Sequence, residues 1–384
     1  MPRQLVVCLD GTNNRFSHRP TNVVRTYRSL LRDPARVLAW YNQGVGTFGL
    51  KETLFEWQKT PARIAGLAFG WGLARTVDDA YRFLCCYHEP GDQIFIFGFS
   101  RGAYAARALA ALVHAAGLLQ RHEVHLTEYA WSILRARESN GHPDFRLHAK
   151  FRTTFGRTVR IRLLGLYDTV KSVGWVYDPV VIPYSADNSS VDAVRHAVAI
   201  DERRCFFRQH LWSGEPSAKT DVKEVWFAGV HSDVGGGYPP TQAALALVVQ
   251  TWMMGEALGS GLLLDAQRVA RELRPQKDVV ADPLAETHDS MGTAWKVAEW
   301  LPRRIWTGPG AIKAWQIGAM PPIGQPRPRF VPAGSTVHRS VIARSMSGNG
   351  YAPPNLPDDS AVVDDDPRFA QWLGAHADPQ SEGR

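Results

Sequence analysis

Gln93-Ile94-Phe95-Ile96-Phe97-Gly98-Phe99-Ser100-Arg101-Gly102-Ala103-Tyr104 is the stretch that decides the fold. Gln93 to Phe97 is a short apolar run of the kind that forms a buried strand in a parallel sheet. Gly98-Phe99-Ser100-Arg101-Gly102 follows at once as a GxSxG turn. From Ala103 to Leu119 the only charged side chain is Arg107. A helix that is apolar on nearly every side is a buried helix, and its many alanines let it approach a sheet closely. Strand, sharp turn and buried helix are the context in which GxSxG presents a serine as a nucleophile. Gly98 and Gly102 supply positions without side chains on both sides of the turn. A plain strand-to-helix turn is the rival reading.

Outward from this centre the same alternation recurs. Gln4 to Leu9 reads as a strand ending in the turn formers Asp10-Gly11-Thr12-Asn13-Asn14. Val37 to Tyr41 is a second strand, and Ala62 to Tyr87 is helical. Val159 to Tyr167 is a strand ending at Asp168-Thr169-Val170. Val191 to Ile200 is expected as a helix. Glu224 to Val230 is a strand that ends at His231-Ser232-Asp233-Val234-Gly235, and Ala243 to Leu258 is the next helix. This order predicts an α/β class: a mostly parallel central sheet with helices on both faces.

Two stretches depart from the pattern. Arg121 to Lys150 is polar and is expected as an exposed helical excursion. Between 259 and 325, Trp295, Trp300, Trp306 and Trp315 alternate with Lys296, Arg303, Arg304 and Lys313. This composition suits a helical cap that could dock a lipid surface; packing against the main domain is the plainer reading. The expected organisation is one domain over 1–355, with cap insertions at about 121–150 and 259–325, and a loose acidic tail over 356–384.

Three strands end in polar clusters: Ser100, Asp168, and His231 with Asp233. In open parallel sheets, active sites lie beyond the carboxyl ends of the strands. A serine hydroxyl needs a base to take its proton, and that base is usually a histidine held by a carboxylate. Asp168 and His231 follow Ser100 in the chain order Ser, Asp, His that α/β-hydrolases use. Asp233 with His338, in Val337-His338-Arg339-Ser340-Val341, satisfies the same order and stays open as an alternative pair. The oxyanion hole is expected from the backbone N–H of Arg101 and from the loop of Asp10, Gly11 and Thr12, with Thr12 as the second donor. His114 and His196 fall in stretches read as helical and are expected to be structural. Such acyl transfer requires no cofactor or metal.

Composition narrows the class. A hydrophobic content of 45% is enough for a large core. The net charge of +7 comes from scattered arginines without a basic block, so a nucleic-acid partner is not expected. Cys8, Cys85, Cys86 and Cys205 lack ligand spacing, so free thiols are expected and a zinc site is not. Met1 to Asn14 lacks a signal-peptide layout, and nowhere do 18 apolar residues run together. The expectation is a protein cytoplasmic where it is made, with any export proceeding without a cleaved signal.

Taken together, these motifs resemble the DUF2235 family of α/β-hydrolases, which includes Tle1-type phospholipase effectors of type VI secretion. The resemblance rests on Leu9-Asp10-Gly11-Thr12-Asn13, Gly44-Val45-Gly46-Thr47, Gly98 to Tyr104, Gly165 to Val170, Gly229 to Tyr238 and Val337 to Val341. It spans residues 4 to about 355. It implies a triad on Ser100, Asp168 and His231 and lipid ester hydrolysis, with phospholipase A1 or A2 activity among secreted members. It also implies phospholipid as substrate, peripheral membrane contact, delivery to the periplasm of a target cell, and secretion-apparatus and immunity proteins as partners. A soluble esterase or thioesterase acting on small acyl substrates is the alternative enzyme. A non-catalytic scaffold on the same fold is the alternative class.

Overall fold

Gln4–Leu9 forms β1, buried along its whole length. It pairs in parallel with β2 (Val37–Asn42) on one side and β3 (Gln93–Phe99) on the other. From β3 the sheet continues through β4 (Ile161–Tyr167), β5 (Val191–Ala199), β6 (Asp221–Phe227), β7 (Thr336–His338) and β8 (Ala361–Val363). The eight strands lie in the order β8-β7-β6-β5-β4-β3-β1-β2, and every pairing is parallel. This is an α/β fold with a parallel central sheet. The computed structural model describes residues 2–11, 18–44, 61–170, 174–175, 178–179, 182–204, 207–212, 220–298, 303–305, 314–316 and 328–377.

Alternation along the strands divides the core in two. Leu5, Val7, Ile94, Ile96, Leu164 and Leu166 face α2 (Pro61–Tyr87), α3 (Arg101–Ala116), α4 (Thr127–Arg135) and α5 (Phe145–Phe155). Val6, Cys8, Phe95, Phe97, Leu163 and Tyr167 face the other layer, which holds α1 (Asn22–Ser29), α7 (Ala244–Gly259), α8 (Ala266–Leu273) and α11 (Pro367–His376). Shorter helices are α6 (His231–Gly235), α9 (Thr293–Ala298) and α10 (Arg339–Met346). The strand order reverses once, between β1 and β3. Such a reversal opens a crevice at the carboxyl ends of the strands. Asp10 and Ser100 stand at that crevice, directly after β1 and β3. Among the described residues, no helix is long and apolar enough to cross a membrane.

Two expectations are corrected. Val191 to Ile200 is not a helix; its first nine residues are β5, in the middle of the sheet. A central strand covered on both faces loses the polar alternation that would identify it, and its short apolar run then fits either period. Its polar residues are paired: Arg195 with Asp221 and Glu256, His196 with Glu224. Nor are the described residues 356–377 a loose tail. Ala361–Val363 pairs with β7, and α11 buries Phe369 against the layer of α7 and α8. The Asp366 carboxylate caps that helix by accepting from the Arg368 N–H.

The two candidate caps lie partly in these layers. Within 121–150, Ala130, Ile133 and Leu134 of α4 join the core under α3. The stretch from 259 begins with α8, which packs on α1. Arg303–Ile305 and Ala314–Gln316 form an antiparallel ribbon. Trp300, Trp306 and Lys313 lie outside the described residues, as does Cys205. Cys8, Cys85 and Cys86 are free thiols.

Candidate active site

Ser100 sits where β3 turns into α3, at φ 59° and ψ −122°. An L-residue adopts that conformation only when its surroundings enforce it. Close packing does so here. A Cβ on Gly98 would stand 2.6 Å from the Gly102 carbonyl oxygen, and one on Gly102 would stand 2.2 Å from the Leu9 carbonyl oxygen. Both obstacles are backbone, which cannot rotate away. Gly102→Ala is therefore expected to cost about 3 kcal/mol or more of folding stability, read from urea unfolding; a loss under about 0.5 kcal/mol would mean that the elbow is not tight. The Ser100 N–H donates to the Tyr167 carbonyl at 3.0 Å, which locks the elbow to the end of β4.

Asp168 follows β4 with φ 41° and is fully buried. His231 opens α6 just beyond β6 and is 4% exposed. The two meet across the carboxyl edge of the sheet. His231 Nδ1 lies 2.5 Å from Asp168 Oδ2, and His231 Nε2 lies 2.8 Å from Ser100 Oγ. The imidazole is held between the rings of Phe99 at 4.7 Å and Phe207 at 4.9 Å. Its backbone N–H donates to Glu202 Oε2 at 3.2 Å.

Electrostatics set the protonation. Burial by itself would raise the Asp168 carboxyl, but the Arg329 guanidinium and His231 outweigh it and hold it below the usual carboxylate range. Burial pushes His231 below 6.5, partly opposed by its bond to Asp168. An ionised carboxylate at Nδ1 requires Nδ1–H as donor, which leaves the Nε2 lone pair facing the serine hydroxyl. Near neutral pH this arrangement can take a proton from Ser100. Glu202 is also ionised: burial opposes this, but bonds from Arg204 bring it down to about 2.

The other predicted site residues fall as follows. Arg101 begins α3, where first-turn amides have no acceptor within the helix. Asp10 is a brace; its carboxylate accepts from the Gly11 N–H, the Thr21 hydroxyl and the Tyr41 hydroxyl at 2.7–2.9 Å. Gly11 is buried beside it. Thr12 lies outside the described residues. Asp233 and His338 are not brought to Ser100. Asp233 Oδ1 lies 2.6 Å from His288 Nδ1, and Oδ2 accepts from the Val230 N–H. His338 stacks on Phe227, and its two ring nitrogens face Ser340 and Asp365.

Three groups at this site escaped the sequence reading. Arg329 grips both oxygens of Asp168. Glu202 holds the His231 backbone. His196, expected in a helix without polar neighbours, lies in β5; its Nδ1 meets Glu224 Oε1 at 2.7 Å, and its Nε2 accepts from the Thr169 N–H at 3.1 Å. It thus pins the residue after Asp168. No motif or spacing marks these three, because each acts across strands far apart in the chain.

Among curated proteins, the uncharacterized protein YEL023C of Saccharomyces cerevisiae is 34% identical over 227 residues, covering 56% of this chain and 33% of that one. The crystal structure of an uncharacterized protein from Pseudomonas aeruginosa is similar at 21% identity and TM-score 0.42, covering 69% of this chain and 46% of that one. The Tle1 effector bound to the VgrG spike of the type 6 secretion system is similar at 19% identity and TM-score 0.36, covering 64% of this chain and 52% of that one. The chain thus spans a third of the yeast protein and about half of each solved chain. The family model described as "T6SS, Phospholipase effector Tle1-like, catalytic domain" matches residues 3–256, most of the central sheet and the whole Ser100, Asp168 and His231 cluster. On a match that covers well over half of its length, this chain belongs to the Tle1-like phospholipase effector family through that family's catalytic domain.

Proposed function

We propose that this protein is a serine esterase that cleaves a carboxylic ester of phospholipids, a phospholipase A1 or A2 activity, through Ser100, His231 and Asp168. The observation that carries the reading is the unbroken relay from Ser100 Oγ through His231 to an ionised, buried Asp168, at 2.8 and 2.5 Å. His231 accepts the Ser100 proton as Oγ attacks the ester carbonyl. It then returns that proton to the departing alcohol. Asp168 holds the ring and stabilises the imidazolium. The developing oxyanion is met by the Arg101 amide, with the loop after β1 as the source of the second donor. Water cleaves the acyl-enzyme with His231 again as base.

The Trp-rich stretch acts as the cap in this reading. Trp295 of α9 meets Phe207 edge-on at 5.3 Å, and Phe207 in turn walls His231. Trp295 thereby places α9 one ring away from the base, and the basic and aromatic composition of the stretch that follows suits docking on a membrane surface. Family membership supports delivery into a target cell by the type VI apparatus. The spike that Tle1 binds is the partner class to test first.

The test is labelling with a fluorophosphonate, with the adduct mapped by mass spectrometry, beside fatty-acid release from phosphatidylethanolamine and phosphatidylglycerol vesicles. An adduct on Ser100 with fatty acid released is the expected result. An adduct on Ser100 with turnover of short soluble esters only would replace the lipid substrate by a small acyl one. No adduct on Ser100 would overturn the enzyme assignment in favour of a scaffold.

A further inference from the structure

Arg329 stands 161 residues beyond Asp168 and outside the stretch matched by the family model, which ends at 256. Its side chain is 1% exposed. Nη1 donates to Asp168 Oδ1 at 2.5 Å and Nη2 to Asp168 Oδ2 at 2.9 Å, a two-pronged grip on one carboxylate. The remaining donors are used as well. Nη1 reaches the Ala199 carbonyl at 3.0 Å, while Nε and Nη2 reach the Phe207 carbonyl at 3.1 and 2.5 Å. All five guanidinium N–H groups are therefore engaged. The Arg329 carbonyl accepts from Asn355 Nδ2 at 2.9 Å, which ties down the segment itself.

We propose that Arg329 is a positioning residue of the triad: its fork fixes the plane of the Asp168 carboxylate against His231 Nδ1, and its charge limits how strongly that carboxylate supports the imidazolium. The inference rests on the triad reading given above. Asp168 is fully buried and receives one backbone N–H, from Ala199 at 3.0 Å. Without Arg329 its charge would lie in the core with His231 as its principal partner, and the carboxylate would be free to rotate or protonate. A lysine cannot reproduce a planar fork on two oxygens. The same guanidinium also holds the Phe207 carbonyl, and the Phe207 ring packs on His231. Arg329 therefore orients the acid and one wall of the base together. The catalytic centre is completed by chain beyond the matched domain.

The charges facing His231 fix the sign of the pH effect. Asp168 and Glu202 favour the imidazolium, and Arg329 disfavours it. The charge of Glu202 is tied to Arg204, and that of Asp233, on α6, to His288. Arg101 stands at the elbow. Removing Arg329 leaves two carboxylates facing the ring with no guanidinium on the shared Asp168, so the imidazole becomes more basic.

Wild type, Arg329→Lys and Arg329→Met would be compared by circular dichroism and by kcat and KM against pH on a soluble ester. Arg329→Met should move the acid limb of kcat/KM up by about one pH unit and lower the plateau kcat by about 100-fold. Arg329→Lys should keep the limb near its wild-type position while kcat falls about tenfold, with KM unchanged in both. A folded Arg329→Met with the wild-type limb and plateau overturns the proposal. If that variant does not fold, Arg329→Lys with wild-type kcat overturns the role of the fork. A 15N titration of the imidazole in wild type and in folded Arg329→Met is read beside them: a higher value in the variant supports the opposing charge, and an unchanged or lower value removes it. Labelling separates the two levels of inference. No adduct on Ser100 strikes the triad itself, whereas an adduct on Ser100 with a profile indifferent to Arg329 strikes only this proposal.

Discussion

Ser100→Ala should lower kcat for ester hydrolysis by about 10⁶-fold while leaving folding stability within about 1 kcal/mol of wild type. The two expectations have separate causes. The hydroxyl lies 2.8 Å from His231 Nε2, and in the proposed mechanism its removal eliminates the nucleophile outright. The backbone conformation at φ 59° is enforced by Gly98, Gly102 and the ends of β1 and β4, and alanine meets the same enforcement. Steady-state hydrolysis and urea unfolding on one preparation read both. Turnover that survives in a folded variant would exclude Ser100 as nucleophile. Lost turnover with a large stability loss would say instead that the hydroxyl holds the elbow together.

The second large effect separates two histidines that the order of residues along the chain leaves equivalent. His231→Ala should also cost about 10⁶-fold in kcat, because in the proposed mechanism His231 receives the serine proton, and among the described residues no other base is hydrogen-bonded to Ser100 Oγ. His338→Ala should leave kcat within about threefold of wild type and lower stability by about 1 kcal/mol. That imidazole caps α10 by accepting from the Ser340 N–H and stacks on Phe227, and both contacts concern packing. Parallel kinetics and thermal unfolding of the two variants decide the matter. A collapse of activity in His338→Ala with normal unfolding would move the base to β7 and break the assignment.

The elbow and the site acids differ in how far they could be read from the chain. Gln93 to Gly102 is legible because each part of the signal is local: an apolar run, two glycines and an alanine-rich helix lie within one stretch. Asp168 and His231 are legible as ends of apolar strands. The role of Asp233 is not, since its partner is His288, 55 residues on and in a segment without periodicity. Val191 to Ile200 misleads because burial on both faces removes the alternation that distinguishes a strand. The segment 361–377 looks loose because the Pro- and Asp-rich run from Pro353 to Pro367 leads into it, yet Phe369, with Trp372 and Leu373 beside it, docks α11 on the core.

What the sequence by itself determined is the α/β class, the sharp GxSxG turn between strand and buried helix, and the strand ends that could carry an acid and a base. Those properties follow from backbone sterics and hydrophobic period, which act over neighbouring residues. What only the tertiary structure shows is which histidine and aspartate lie against Ser100, and the presence of Arg329, Glu202 and His196 around that pair. Parallel strands bring together residues separated by a whole helix and more. A buried arginine is identical in sequence to a solvated one until the fold places a carboxylate between it and the imidazole.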